Sequence, residues 1–313
     1  MSLYLISDFE SFGGDSVNFF DLHCDTLYRV CTEGQSLLKN GYHVSLERGK
    51  SLFSQWYQCF AVWIPDDVRG KDAVNLLNMA YKNISSVVLP KGYENVKLLF
   101  TVEGGAAVAG DLENINLLKK YGVKAMTLTW NGSCELGDGV MVENARGLTK
   151  FGRECVRRME NFGIAVDISH ASENLFWDVF EEISGPVIAT HSNSKKICNH
   201  KRNLSDDQFN AIKNRSGLVG LTFCDLFLKD GGNASLQDVL RHAEHFLSLG
   251  GEDVLAIGSD FDGADMPRDV YGIESVEKLY NLFLRENYNE SLVRKIFFEN
   301  AALFFNKEFN EDC

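Results

Sequence analysis

The strongest constraint on this chain is a repeat of pattern: a short apolar run with strand character, then a longer run with helical periodicity, eight times over. The strand-like runs are Phe19 to Asp25, Gln55 to Ile64, Val96 to Gly105, Val123 to Trp130, Gly163 to His170, Pro186 to Ser192, Gly217 to Phe223 and Val254 to Gly263. Between them the spacing predicts helices over Lys71 to Val88, Leu112 to Tyr121, Leu148 to Phe162, Glu173 to Ile183, Ser205 to Asn214 and Leu236 to Leu249. Several open on Ser or Asp and are followed by Gly. Eight such units predict a parallel (β/α)8 barrel of the TIM type, and 313 residues is an ordinary length for one. No linker or low-complexity segment divides the chain, so residues 1–313 read as a single domain. The tail, Glu277 to Asn310, is expected to pack back on the barrel, with Phe297, Phe298, Phe304 and Phe305 as core.

A barrel of this kind carries its chemistry at the carboxyl ends of the strands. Polar residues with a purely structural role would be scattered along the runs. Here they gather at the ends: His23 and Asp25 on the first run, Glu103 on the third, His170 on the fifth, His191 on the sixth and Asp260 on the eighth. Residues i and i+2 of a strand share a face, so His23 and Asp25 can grip one ion while Cys24 turns into packing. Imidazole with carboxylate suits zinc-like ions, and two ions about 3.5–4 Å apart need a shared ligand.

Glu103 is the expected bridge, with Gly104 and Gly105 leaving room behind it. The expected sets are His23, Asp25 and Glu103 for one ion and Glu103, His170 and His191 for the other, two Zn2+ in all. A hydroxide bridging the ions would be the nucleophile at neutral pH. Asp260, in Ser259-Asp260-Phe261-Asp262-Gly263, would carry the proton from that water to the leaving group. A lone histidine at a strand end is more often a core or supporting residue; six such residues on five runs make a constellation. His43, His200, His242 and His245 fall in loop or helix patterns and read as structural. Arg202, just beyond the His191 run, is placed to hold a substrate carboxylate or an oxyanion with its forked donors.

Composition narrows the partners. A formal net charge of -13 without a basic cluster argues against nucleic acid and anionic membrane. No apolar run approaches the roughly 20 residues of a membrane span. Met1 to Ser16 carries acids and no base where a signal peptide starts positive, so a cytoplasmic location is expected. The eight cysteines include no CxxC pair, which points to small buried hydrophobes rather than to a zinc knuckle or a disulfide framework.

Several stretches carry a family resemblance: Asp21-Leu22-His23-Cys24-Asp25-Thr26, Val102-Glu103-Gly104-Gly105, Gly147-Leu148-Thr149-Lys150-Phe151-Gly152-Arg153-Glu154 and Asp167-Ile168-Ser169-His170-Ala171-Ser172. Further matches are Phe176-Trp177-Asp178, Pro186-Val187-Ile188-Ala189-Thr190-His191-Ser192, Arg202-Asn203-Leu204-Ser205-Asp206-Asp207 and Gly258-Ser259-Asp260-Phe261-Asp262-Gly263. In this order and spacing the chain resembles the membrane (renal) dipeptidase family, zinc peptidase family M19, over nearly all its length.

The resemblance implies a zinc-dependent dipeptidase on a (β/α)8 barrel, with Glu103 bridging the zincs, Asp260 at the bridging water and Arg202 on the dipeptide's C-terminal carboxylate. Acceptance of a D-residue at the second position, or of dehydropeptides, stays open. Mammalian members are secreted and lipid-anchored; the bacterial-type cytoplasmic members are the nearer likeness. Leu128, in Ala125-Met126-Thr127-Leu128-Thr129-Trp130-Asn131, stands where many members place a histidine that faces the substrate. Leu128 is therefore expected beside the scissile bond, with Asn131 and the zincs as alternative support for the oxyanion.

A related binuclear amidohydrolase acting on N-acyl amino acids or small esters is the alternative reading. A barrel with a modified lysine as bridge fits less well, because Lys124 lies at the start of its run. An inactive peptide-binding relative is disfavoured by the presence of both Glu103 and Asp260. The expected partner is a small dipeptide-like substrate, and a homodimer is left open.

Overall fold

The computed structural model describes residues 17–307. The acidic stretch Met1 to Ser16 and the last residues of the tail lie outside them. Eight parallel strands form the barrel in the order β6-β5-β4-β3-β2-β1-β8-β7. They are β1 (Phe19–Asp21), β2 (Trp56–Trp63), β3 (Val96–Glu103), β4 (Ala125–Thr127), β5 (Ala165–Asp167), β6 (Val187–Ile188), β7 (Val219–Leu221) and β8 (Leu255–Ile257). A single parallel bridge, Ala189 to Val219, joins the β6 side to β7 and closes the ring. All eight expected runs contain a strand. The strands are shorter than the runs because the chain leaves the ladder before the last residues of each run, and those residues build the site.

Helices follow the strands where the periodicity predicts them, for example Lys150–Asn161, Glu173–Glu182, Asp206–Asn214 and Leu236–Ser248. Hydroxyl side chains start them: Thr149 accepts from the Gly152 N–H, and Ser205 and Gln208 form a reciprocal capping box. Two apolar layers result. An outer cluster, with Phe19, Trp56, Phe60, Val62, Met126 and Leu221, fills the space between strands and helices. An inner cluster of Phe20, Leu22, Cys59, Leu99, Ala125, Ala165, Ile188, Leu218 and Ala256 fills the barrel itself.

The inner cluster is capped by Phe298, Ala301, Phe304 and Phe305 from the last helices. Phe20 packs on Phe298 and Phe305 at ring-centroid distances of 6.4 and 5.5 Å, so the first strand and the last helix meet at the floor. The four tail phenylalanines are buried, as expected.

The long connection after β1 carries short helices, Thr26–Glu33 and Leu46–Gly49, and is pinned to the β8 end by buried Asp262. Asp262 accepts from the Thr26 hydroxyl and from the backbone N–H of His43 at 2.8 Å. In return its own N–H donates to His43 Nδ1 at 3.0 Å. No helix among the described residues is long and apolar enough to cross a membrane.

Candidate active site

The two layers show how β1 delivers its ligands. Phe19 faces outward, Phe20 and Leu22 inward, and Cys24 outward again, so the alternation slips by one residue between Leu22 and Cys24. Cys24 rejoins the ladder through a lone parallel bridge to Phe261. His23 and Asp25, flanking it, reach the same side, with His23 Nε2 3.3 Å from Asp25 Oδ2. The expected pairing of these two side chains is present, although a one-residue slip rather than an unbroken strand produces it.

Glu103, the last residue of β3, lies between the histidines. Its Oε2 is 3.6 Å from His23 Nε2, while its Oε1 is 2.8 Å from His170 Nε2 and 3.6 Å from His191 Nε2. Asp260 Oδ1 is 3.9 Å from His23 Nε2. Ligand atoms of His23, Glu103 and His191, and those of His23, Asp25 and Asp260, fall within 4.8 Å of one another. All six expected residues therefore meet in one buried cluster, with Asp260 as close to His23 and Asp25 as a ligand would be.

Burial and crowding set the charges. Burial raises Glu103 well above the usual carboxylate range, with the Asp25 charge adding to it. Burial likewise pushes Asp260 up to about 7, with Asp25 raising it further and His23 and Arg202 opposing. Burial alone would lower His23, but Asp25, Glu103 and Asp260 together push it up to about 10. His170 and His191 are held well below their ordinary value, first by burial and then by neighbouring cationic groups.

The two neutral imidazoles have assigned tautomers. His170 Nδ1 donates to Asn131 Oδ1 at 3.0 Å. The Thr190 hydroxyl donates to Asp167 Oδ2 at 2.6 Å and so accepts from His191 Nδ1 at 2.9 Å. Both Nε2 lone pairs therefore point into the cluster, 3.0 Å apart and facing Glu103 Oε1. Asp25 Oδ1 is also buried without a hydrogen-bond partner. Converging imidazole lone pairs and crowded carboxylate oxygens are what divalent cations complete, so the residues present fit a two-metal centre.

Two glycines admit this packing. A Cβ on Gly263 would lie 2.0 Å from Asp25 Oδ2 and 2.7 Å from Asp260 Oδ1, so only glycine lets the backbone approach both carboxylates. A Cβ on Gly105 would lie 2.3 Å from the Leu128 carbonyl oxygen. Gly105 thus serves contact between the β3 and β4 ends rather than room behind Glu103.

Arg202 is 3% exposed, and its Nη2 donates to the His191 carbonyl at 3.3 Å. Its Nε and Nη1 are buried with no partner, an arrangement that an anionic ligand would complete. Asn131 lies beside the cluster, where its carboxamide oxygen accepts from His170 Nδ1 and so orients that ring.

Leu128 requires a correction. It is fully buried in the outer layer with Met126, because the pleat of β4 turns even-numbered positions outward and Ala125 inward. It does not face the site. The residue of this stretch that does stand beside the cluster is Trp130, half-buried with its ring 6.2 Å from that of His170.

Other supporting residues escaped the sequence reading. Trp63 pairs in register with Glu103, and Asp167 holds His191 through Thr190. A signal for the second was present: a hydroxyl residue immediately precedes both His191 and Asp260, and an aspartate precedes His23 by two positions and His170 by three.

Comparison with known proteins agrees with this geometry. The pattern of the membrane dipeptidase family, peptidase family M19, matches residues 89–310. Dipeptidase 3 of Mus musculus is 26% identical over 268 residues, 79% of this chain and 54% of the mouse protein. Among solved structures, dipeptidase AC, an M19 metallopeptidase, superposes with a TM-score of 0.86 at 25% identity, over 94% of this chain and 99% of that one. A metallopeptidase from Rhodobacter sphaeroides, bound to a phosphinate mimic of L-Ala-D-Ala, gives 0.85 at 25% identity over 94% and 100%. The chain belongs to the membrane dipeptidase family and is a metal-dependent dipeptidase on a (β/α)8 barrel.

Proposed function

We propose that this dipeptidase works with two zinc ions, one held by His23, Asp25 and Glu103 and the other by Glu103, His170 and His191. The observation that carries this is the split of Glu103, whose Oε2 looks toward His23 and whose Oε1 looks toward His170 and His191. Bound there, the ions supply Lewis acidity toward the scissile carbonyl and lower the pKa of water. Everything else falls to the chain. Asn131 and Thr190 keep the two imidazoles in the ligating tautomer. Asp260, whose Oδ1 lies 3.9 Å from His23 Nε2 at the edge of the cluster, is placed to take a proton from the attacking water and return it to the leaving amine. Arg202 offers two unpartnered N–H donors to the substrate's C-terminal carboxylate.

Acceptance of a D-residue at the second position is a finer proposal, supported by the L-Ala-D-Ala mimic bound to the Rhodobacter relative. The cytoplasmic location and the homodimer also stand as proposals, to be read from cell fractionation and light scattering.

The test pairs metal content with substrate chemistry. Elemental analysis is expected to give close to two zinc ions per chain. Arg202→Lys is expected to lower kcat/KM on free dipeptides by about 10- to 100-fold more than on their C-terminal amides, since lysine cannot reproduce a bidentate contact. One tightly held ion, or equal losses on acids and amides, would overturn the corresponding assignment.

A further inference from the structure

Three aromatic residues that the mechanism does not use line the barrel mouth next to the metal ligands. Trp63 ends β2 in register with Glu103, on the inward-facing series that includes Cys59 of the inner cluster. Its ring meets Tyr28 at 5.0 Å and 67° and Trp130 at 4.9 Å and 60°, both edge to face. Trp130 in turn lies against His170. All three are half-buried. The Trp63 Nε1–H is buried without a partner, a donor left for a ligand.

The position of this wall gives it a direction. Tyr28, Trp63 and Trp130 come from the ends of β1, β2 and β4, whereas Arg202 follows β6, across the eight-stranded ring from β2. With the C-terminal carboxylate on Arg202 and the scissile bond at the metal cluster, the N-terminal residue of the substrate falls on the aromatic side. Rings arranged edge to face accept a further ring in the same geometry.

We propose that Tyr28, Trp63 and Trp130 form the subsite for the N-terminal side chain and select dipeptides that begin with an aromatic residue. The inference rests on the dipeptidase reading and on the carboxylate contact of Arg202. Burying a large side chain against such a wall supports a preference of about 10- to 100-fold over alanine.

The experiment compares kcat/KM of the zinc-loaded enzyme on Phe-Ala, Ala-Ala and Ala-Phe. Phe-Ala is expected to exceed Ala-Ala by that factor, and Ala-Phe to show no comparable gain. Trp130→Ala should bring the Phe-Ala to Ala-Ala ratio to within about threefold at unchanged zinc content, while Trp130→Phe keeps most of it. Tyr28→Ala, at the other end of the wall, is a second variant and should lower the ratio in the same direction. Equal cleavage of Phe-Ala and Ala-Ala, a gain on Ala-Phe instead, or a ratio that survives both alanine variants would overturn the proposal. An enzyme that cleaves none of the three would overturn the dipeptidase reading itself, a result distinct from cleavage without preference.

Discussion

Asp21, at the end of β1, and Asp167, at the end of β5, occupy matching positions in the two halves of the site. Each accepts at Oδ1 from the backbone N–H two residues on, His23 at 3.3 Å and Ser169 at 3.0 Å. Each also accepts at Oδ1 from a neighbouring strand end, Ser259 N–H at 2.8 Å and Thr190 N–H at 3.0 Å. Each accepts at Oδ2 from that same residue's hydroxyl at 2.6 Å. On the opposite side a further donor is added, Gln58 Nε2 at 2.8 Å for Asp21 and Thr127 Oγ1 at 2.6 Å for Asp167, and Asp167 alone takes a fifth donor, the Ser169 hydroxyl at 2.6 Å.

The difference is one of face. Asp21 pairs with Ile257 of the outer layer, and Asp167 pairs with Ile188 of the inner cluster. From inside the barrel, the Asp167 charge reaches His191 Nδ1 through the Thr190 hydroxyl. From outside, Asp21 reaches the backbone of His23, the Gln58 side chain and the Ser259 that precedes Asp260, but no imidazole of the cluster. The same anchor therefore acts as a mechanical tie in one half and as an electronic one in the other.

Removing the anchors tests their likeness and should give the largest effect. Asp21→Ala strands four buried donors and Asp167→Ala five, so urea unfolding of the chelated protein should show losses of at least about 3 kcal/mol for each. A near-silent Asp21 variant would break the equivalence. The next effect tests their difference. Thr190→Val removes the acceptor of His191 Nδ1, and zinc affinity in chelator competition should fall about 10- to 100-fold, with Thr190→Ser restoring it. Ser259→Ala should cost stability but leave affinity within about threefold. Equal affinity losses in the two would dissolve the distinction.

The smallest effect concerns two histidines that brace the strand ends from behind. His242 accepts from Ser194 N–H at 3.0 Å on the Asp167 side, and His43 accepts from Asp262 N–H at 3.0 Å on the Asp21 side. Burial lowers both imidazoles, His242 to about 4. The unfolded chain then binds the extra proton, so this part of the stability is present above the unfolded value near 6.5 and is lost as pH falls toward about 4. Between pH 7 and 5.5 the His242 share amounts to about 1 kcal/mol. His242→Gln should flatten the pH slope of unfolding in that window more than His43→Gln does; the reverse order would place the firmer brace on the Asp21 side.

Much of this was legible in the sequence because period and end position are local properties. The eight runs, the helices between them and the six residues at the carboxyl ends could be read directly. The slip between Leu22 and Cys24 could not, since beyond it the chain rejoins the ladder through Phe261, far away in sequence. Leu128 was misjudged for a related reason. A run of apolar and small residues does not say which member leaves the ladder, and the pleat sent Leu128 outward while Trp130, beyond the strand, turned toward His170. Trp63 reads as core in any apolar run, and only its register with Glu103 gives it another meaning.

The floor of the barrel has a consequence for synthesis. Phe20 waits for Phe298 and Phe305, and the candidate ligand cluster joins His23 after β1 to His170 and His191 after β5 and β6. A polypeptide emerging from its N-terminus exposes an apolar first strand until the helices that carry Phe298 and Phe305 appear, and an incomplete ligand set until the β6 end is made. The two sites therefore close at different stages. Zinc capture in this protein would then register that the ends of β1, β3, β5 and β6 have come together, a check on barrel assembly that a fold with its ligands on adjacent strands would lack.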